Sequence, residues 1–239
     1  MHILDDILIV DLTQALAGPY CTMLLGDMGA EVIKVEPPGT GDQSRGWGPP
    51  FVAGESTYFL SVNRNKKSLA LNLKSDAGRD IMHRLVTRAD VFIHNMPRQS
   101  SQRETGVDAE TLLALNPGLI YVSITGYGAT GPYAERPGYD LIAQGESGLM
   151  SITGEPDGEP MRYPIPLADM TTGIYAALGV LGALLARQRT GSGQVLDLSL
   201  LESQSAWLSI LAGAYLNAGE PPQRLGNLHP NIVPYQVFR

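Results

Sequence analysis

Two periods alternate along the chain. Residues 7–10 are a short run of branched apolar side chains, and Gly18-Pro19 then opens a helix over residues 20–28, with proline tolerated in the first turn and Gly29 closing it. Residues 31–36 alternate as a second strand, so the opening 36 residues predict a strand, helix, strand unit with a right-handed crossover. Residues 37–54 hold five glycines and four prolines without an apolar period and predict a long loop, the kind that is usually functional or mobile. The alternation then resumes. A strand is predicted at 68–73, a helix capped by Ser75 running to 88, a strand at 90–94, a short helix capped by Asp108 running to 115, and a strand at 119–125. Such repetition predicts an α/β fold, with a mostly parallel sheet and helices on both faces. Beyond it come a Gly/Pro-dense stretch at 126–138, a helix at 139–148, a turn at 154–158, a long helix at 168–189, a strand at 194–198 and a helix at 200–217. Residues 218–239 have no period.

Composition narrows the function. The 239 residues are 44% hydrophobic and 17% charged, a globular balance. A net charge of −7 disfavours a nucleic-acid binder, which needs a basic face to displace counterions. The single cysteine, Cys21, excludes an internal disulfide and a cysteine-based zinc cluster, and fits a reducing compartment. Two acids at Asp5 and Asp6 stand where a secretory signal carries positive charge, so the expectation is a cytoplasmic protein. The longest apolar-looking stretch, residues 173–186, falls short of the roughly 18 residues of a membrane span, and no membrane association is expected.

Candidate chemistry is sparse. Gly126-Tyr127-Gly128-Ala129-Thr130-Gly131 matches a dinucleotide fingerprint, but Pro132 and Pro137 follow where a helix should open, which favours a glycine-rich turn beside a ligand. His2, His83, His94 and His229 form no H-x-x-x-H pair, and no metal site is expected. Nor does a G-x-S-x-G elbow occur. Cys21 reads as a buried side chain of the first helix. Asp169 falls at the start of the long helix, where free N–H groups and the positive helix end favour the ionised carboxylate. Spacing alone favours an ordinary helix cap there. Arg64, Lys66, Lys67, Lys74, Arg98 and Arg103 lie near strand ends, the usual ligand side of an open α/β sheet, although solvated surface charge is the commoner role.

Leu16-Ala17-Gly18-Pro19, Gly29-Ala30-Glu31-Val32-Ile33-Lys34-Val35-Glu36, Asn63-Arg64-Asn65-Lys66-Lys67-Ser68, Leu71-Asn72-Leu73-Lys74, Asn116-Pro117-Gly118-Leu119-Ile120, Thr190-Gly191-Ser192-Gly193-Gln194 and Gly226-Asn227-Leu228-His229-Pro230 occur in this order. Together they resemble the signatures of the class III CoA-transferase family, over nearly the whole chain. The resemblance implies a Rossmann-like open sheet in which residues 1–217 are the N-terminal portion of a large CoA-binding domain. Residues 218–239 would be a linker toward a second, smaller domain outside these 239 residues. It implies that Asp169, in Leu167-Ala168-Asp169, is the catalytic nucleophile. CoA would be bound by Leu16, Ala17, Leu71, Asn72, Leu73, Lys74, Asn95, Met96, Pro97, Arg98, Arg103, Tyr139 and Asp140, with Lys74, Arg98 and Arg103 available to its phosphates. Coenzyme A or an acyl-CoA would be a substrate rather than a permanently bound cofactor. The partners would be a small carboxylic acid and, in full-length relatives, a second copy of the chain in an interlocked homodimer.

Against the family pattern, Pro37 replaces a frequent arginine, Pro137 a lysine, and Asn95-Met96-Pro97-Arg98-Gln99 stands where Asn-Phe-Arg-Pro-Gly is usual. Two other readings stay open at this point. An acyl-CoA racemase of the same superfamily would exchange an α-proton through a histidine and an aspartate, but Gly138-Tyr139-Asp140 lacks that histidine. A non-catalytic CoA-binding or assembly subunit is the other.

Overall fold

The computed structural model describes residues 2–238. Six strands form one sheet: β1 (Leu8–Leu12), β2 (Glu31–Glu36), β3 (Lys66–Ala70), β4 (Val91–His94), β5 (Ile120–Thr125) and β6 (Gln194–Ser199). All neighbours are parallel, and the order is β3-β2-β1-β4-β5-β6. The α/β expectation therefore holds. β4 and β5 are buried along their whole length, as strands covered on both faces must be, and they read as continuous apolar runs for that reason.

The helices are α1 (Ala17–Asp27), α2 (Thr57–Val62), α3 (Asp76–Val86), α4 (Gln99–Glu104), α5 (Ala109–Leu115), α6 (Asp140–Glu146), α7 (Leu149–Ile152), α8 (Leu167–Thr190), α9 (Leu200–Ser205) and α10 (Ser209–Ala218). Two apolar clusters lie on opposite faces of the sheet. One packs Ile9, Val91, Ile93, Val122 and Ile124 against α1 and α8, and the other packs Val10, Phe92, Leu119 and Tyr121 against α3 and α5. Side chains of alternating strand positions fall to opposite faces, which separates the two clusters.

α8 has the most consequential composition. Its buried face is small, with Ala168, Thr172, Gly173, Ala176, Ala177, Val180 and Ala183, so that it lies close against α1. A Cβ on Gly173 would stand 2.7 Å from the Ala17 carbonyl oxygen, so only glycine permits this crossing. By length and composition α8 could also cross a membrane, because the helix runs past residues 173–186 at both ends, and half of its most apolar stretch is buried inside the fold.

Several elements differ from expectation. The third strand is Lys66–Ala70 rather than 68–73, because its backbone pairs with β2 from Val32 to Glu36 and ends there. The loop after β2 is partly structured, with a 3-10 turn at Gln43–Gly46, a two-stranded hairpin of Phe51–Val52 with Glu55–Ser56, and α2 capped by Ser56. α4 has no counterpart among the expected elements, since its sequence is polar throughout. The helix predicted at 200–217 is broken by a 3-10 turn at Ala206–Leu208 and by Ser209 at φ +39°, while the helix at 139–148 is found as α6 and a further short helix, α7, follows it after Gly148.

Candidate active site

With this strand order, the winding of the sheet reverses between β1 and β4, and the loops leaving their C-terminal ends diverge to make a crevice. Gln14 follows β1 and Asn95 follows β4. The two clasp each other: the Gln14 backbone N–H donates to Asn95 Oδ1 at 3.0 Å, and Asn95 Nδ2 donates to the Gln14 carbonyl at 2.8 Å. Two hollows lie on either side of this ridge and share Gln14, Gln43, Asn95 and Pro97 as lining.

The first hollow, about 390 Å³, is lined by Leu71, Asn72, Leu73 and Lys74 after β3 and by Asn95, Met96 and Pro97 after β4, with Leu12, Glu36, Pro37 and Pro38. The second, about 280 Å³, is lined by Leu16, Ala17, Tyr139, Asp140 and Asp169, together with Trp47, Tyr58, Thr125, Gly126, Gly138 and Leu200. Eleven of the thirteen residues expected to contact CoA, and Asp169, thus line these two hollows. Arg98 and Arg103 do not. Arg98 is exposed and lines neither, and Arg103 lines a separate cavity of about 230 Å³ beyond Pro97, with Tyr121, Ser123 and Asp197. Of the other basic residues, Arg64 pairs with Asp27, Lys67 with Glu31, and Lys66 is buried against Asp11.

The glycine-rich motif after β5 has a steric purpose. A Cβ on Gly126 would fall 2.4 Å from the Gly138 Cα, and one on Gly138 would fall 2.1 Å from the Gly126 Cα. The two backbones cross in contact, and this crossing delivers Tyr139 and Asp140 to the mouth of α8.

Asp169 stands in the first turn of α8, one helical turn before Gly173 and on the same side, so the contact of Gly173 with Ala17 sets it over the start of α1. The helix end does not stabilise its charge as the sequence suggested. Pro166 offers no side-chain cap, and the backbone N–H groups of Ala168 and Asp169 instead donate to Asp140 Oδ1 at 2.7 and 3.3 Å. Burial first, and then the negative charge of Asp140, push the Asp169 carboxyl up to about 7. No lysine, arginine or histidine lines this hollow among the described residues. Tyr58, which lines it too, is pushed up to about 12 by burial and by the charges of Asp169, Asp140 and Asp42, so its phenol stays protonated and able to donate.

A buried ionic network holds the β1 loop from behind. Lys34 Nζ donates to the Thr13 carbonyl at 2.7 Å and pairs with Asp42 at 2.8 Å, while Asp42 Oδ1 accepts from the Ala15 and Ser44 backbone N–H groups. Asp11 accepts from the Thr13 and Thr22 hydroxyls and from Lys66. Burial would raise the Asp11 carboxyl, but Lys66, Lys34 and the two hydroxyls outweigh it and hold it well below the usual carboxylate range. Cys21 is buried as expected.

Sequence reasoning did not find Gln14, Gln43, Trp47 or Tyr58, which sit in segments without period. A signal for the ionic network was present: Asp11 and Lys34 are opposite charges inside two apolar runs, and they fall in register on adjacent strands.

The model of the CoA-transferase family III matches residues 4–239. The chain is 51% identical over 240 residues to succinyl-CoA:glutarate CoA-transferase of Mus musculus, covering all of this chain and 55% of that protein. It is 50% identical to succinate–glutarate CoA-transferase of Agrobacterium fabrum, over 98% of this chain and 60% of that one. Among solved structures, a CaiB/BaiF family protein from Brucella suis superposes with a TM-score of 0.94 at 46% identity, covering 100% of this chain and 64% of the other. The chain thus spans a little over half the length of the curated relatives it matches. With its parallel sheet, its paired hollows and a family match over nearly its whole length, the chain belongs to CoA-transferase family III.

Proposed function

We propose that this chain carries the CoA site and the nucleophile of a CoA-transferase, which moves CoA from an acyl-CoA to a carboxylic acid. The observation that carries the reading is the Asp169 carboxyl, free of any cation among the described residues, in a hollow separated from the Leu71–Lys74 hollow only by the Gln14–Asn95 ridge. The first hollow suits the nucleotide end of CoA, with Lys74 near a phosphate, and the second suits the thioester.

In the proposed mechanism the ionised Asp169 attacks the thioester carbonyl and expels CoA as a thiolate, leaving a mixed anhydride. The thiolate attacks the aspartyl carbonyl of that anhydride, which releases the donor carboxylate and leaves an aspartyl-CoA thioester. The acceptor carboxylate then attacks this thioester, giving a second anhydride and CoA thiolate. Attack of the thiolate on the acceptor acyl carbon yields the new acyl-CoA and restores Asp169. A carboxylate that is half ionised near neutral pH is suited to this work, being available as the anion and more basic than an ordinary aspartate. Tyr58, which lines the same hollow and keeps its proton, would donate to the developing oxyanion.

The relatives named for succinyl-CoA and glutarate make dicarboxylic acids and their CoA thioesters the first substrates to try. Exposed Ile174, Tyr175 and Leu178 of α8 and Ile210 and Leu216 of α10 are apolar surface of the kind that a second copy of the chain would cover. The test is intact-protein mass spectrometry after incubation with succinyl-CoA. It compares wild type with Asp169→Ala, in the chain alone and in a chimera where it replaces the matched part of the mouse relative. An adduct on the wild type that hydroxylamine removes is expected. Equal labelling of both forms would take Asp169 out of the mechanism, and CoA binding without any adduct in the chimera would favour a binding subunit.

A further inference from the structure

We propose that Asp140 is a positioning residue for Asp169: clamped by Gln144, it fixes the first turn of α8 from outside the helix and keeps a second carboxylate beside the reacting one. This deepens the reading of Asp169 as nucleophile and rests on it for its catalytic meaning. The structural part stands on contacts. Both oxygens of the Asp140 carboxylate are bonded within the protein: Oδ1 takes the Ala168 and Asp169 N–H groups, and Oδ2 accepts from Gln144 Nε2 at 2.7 Å. Gln144 is wholly buried, and its Oε1 accepts from the Tyr163 backbone N–H at 2.8 Å, so the segment leading into α8 is tied to the same amide. Asp140 therefore does the work of the missing helix cap across 28 residues of chain. These bonds give Asp140 a supporting role in addition to the CoA contact that the resemblance implies.

A cap could have been supplied by a neutral asparagine or serine; an acid adds charge at the one place where a second acid must ionise. Other titratable groups lining the hollow are Tyr58 from α2 and Tyr139 at the head of α6; α1 brings only Ala17 to it and α9 only Leu200. Burial keeps the proton on Tyr58, and Asp140 is the charged neighbour that opposes ionisation of Asp169. The result is a carboxyl held in place by its backbone and made more basic by the same residue.

The experiment is a pH titration of the Asp169 side-chain carboxyl by ¹³C NMR in the 239-residue chain, wild type and Asp140→Asn. Asparagine keeps an acceptor oxygen for the Ala168 N–H and removes the charge. The Asp169 midpoint is expected to fall by about one pH unit or more, as when a like charge is withdrawn from a neighbour. An unchanged midpoint would overturn the proposal, since a purely structural cap predicts none. The wild type supplies a second measurement that needs no variant: the Asp140 carboxyl resonance should respond at the Asp169 midpoint, and indifference of either group to the other's titration would also overturn it. Neither readout uses catalysis. A shifted midpoint with no adduct at Asp169 would sink the nucleophile and keep the clamp, and the reverse result would keep the nucleophile and discard the clamp.

Discussion

Replacing Asp169 by asparagine should make the protein more stable, and by an amount that depends on pH. In the folded chain the carboxyl titrates near 7, raised from 3.8 chiefly by burial. Below about pH 4 the group is protonated in both folded and unfolded states, and wild type and Asp169→Asn should be equally stable within error. Between about pH 4 and 7 the unfolded chain ionises and the folded chain does not, so wild-type stability falls as pH rises; above 7 both are ionised and the deficit is constant. At about 1.4 kcal/mol per pH unit, the full rise corresponds to an upper limit of about 4 kcal/mol, reduced in practice by water reaching the hollow. The assay is urea denaturation of both forms from about pH 4 to about 8.5. A stability difference that opens as pH rises from about 4 and levels off above about 7 is expected. A variant less stable than wild type at about pH 8, or a difference independent of pH, would refute the argument that this carboxyl is buried without compensation.

Other expectations follow from packing and charge. Lys34→Met leaves the buried Asp42 without its cation and should cost about 3–5 kcal/mol in chemical denaturation; a loss below about 1 would show that the network is hydrated. Gly173→Ala should lower stability by about 1–3 kcal/mol by forcing α8 off α1, whereas Gly182→Ala, with open space around its Cβ, should raise it by about 0.5–1; comparing the two melting temperatures checks the crossing. Burial pushes the His94 imidazole down to about 4, and Nδ1 accepts from the Met96 backbone N–H, so its proton sits on Nε2. A lowered histidine costs stability as pH falls from about 6.5 toward 4, and an NMR midpoint at about 6 or higher would contradict the packing around Phe92 and Tyr121.

Strands such as Ile120–Thr125 were legible because their burial on both faces leaves a continuous apolar run, and α8 was legible from its length. Where the chain is held by polar groups, the pattern was silent. The loop after β2 owes its shape to Glu36, Asp42 and Arg45 bonding one another and the backbone, contacts between residues that any surface loop also contains. Asp169 illustrates a subtler failure. Its place at a helix start was readable and pointed to an ionised cap, but the residue that takes the cap, Asp140, arrives from a different helix, and no local spacing announces it. The segments expected to bind CoA surfaced only through resemblance to a family, because each is an ordinary strand-end loop by itself.

The ridge made by Gln14 and Asn95 sets a condition on whatever occupies the crevice. A rigid, compact molecule can rest on one slope only, whereas a long flexible one can straddle the crest and be gripped at both ends while its middle stays loosely held. Selectivity for shape at the far end and for chemistry at the near end can then drift independently over generations. Under the proposed reading, a new acyl group would demand changes on the Asp169 slope and leave the handle on the opposite slope as it was.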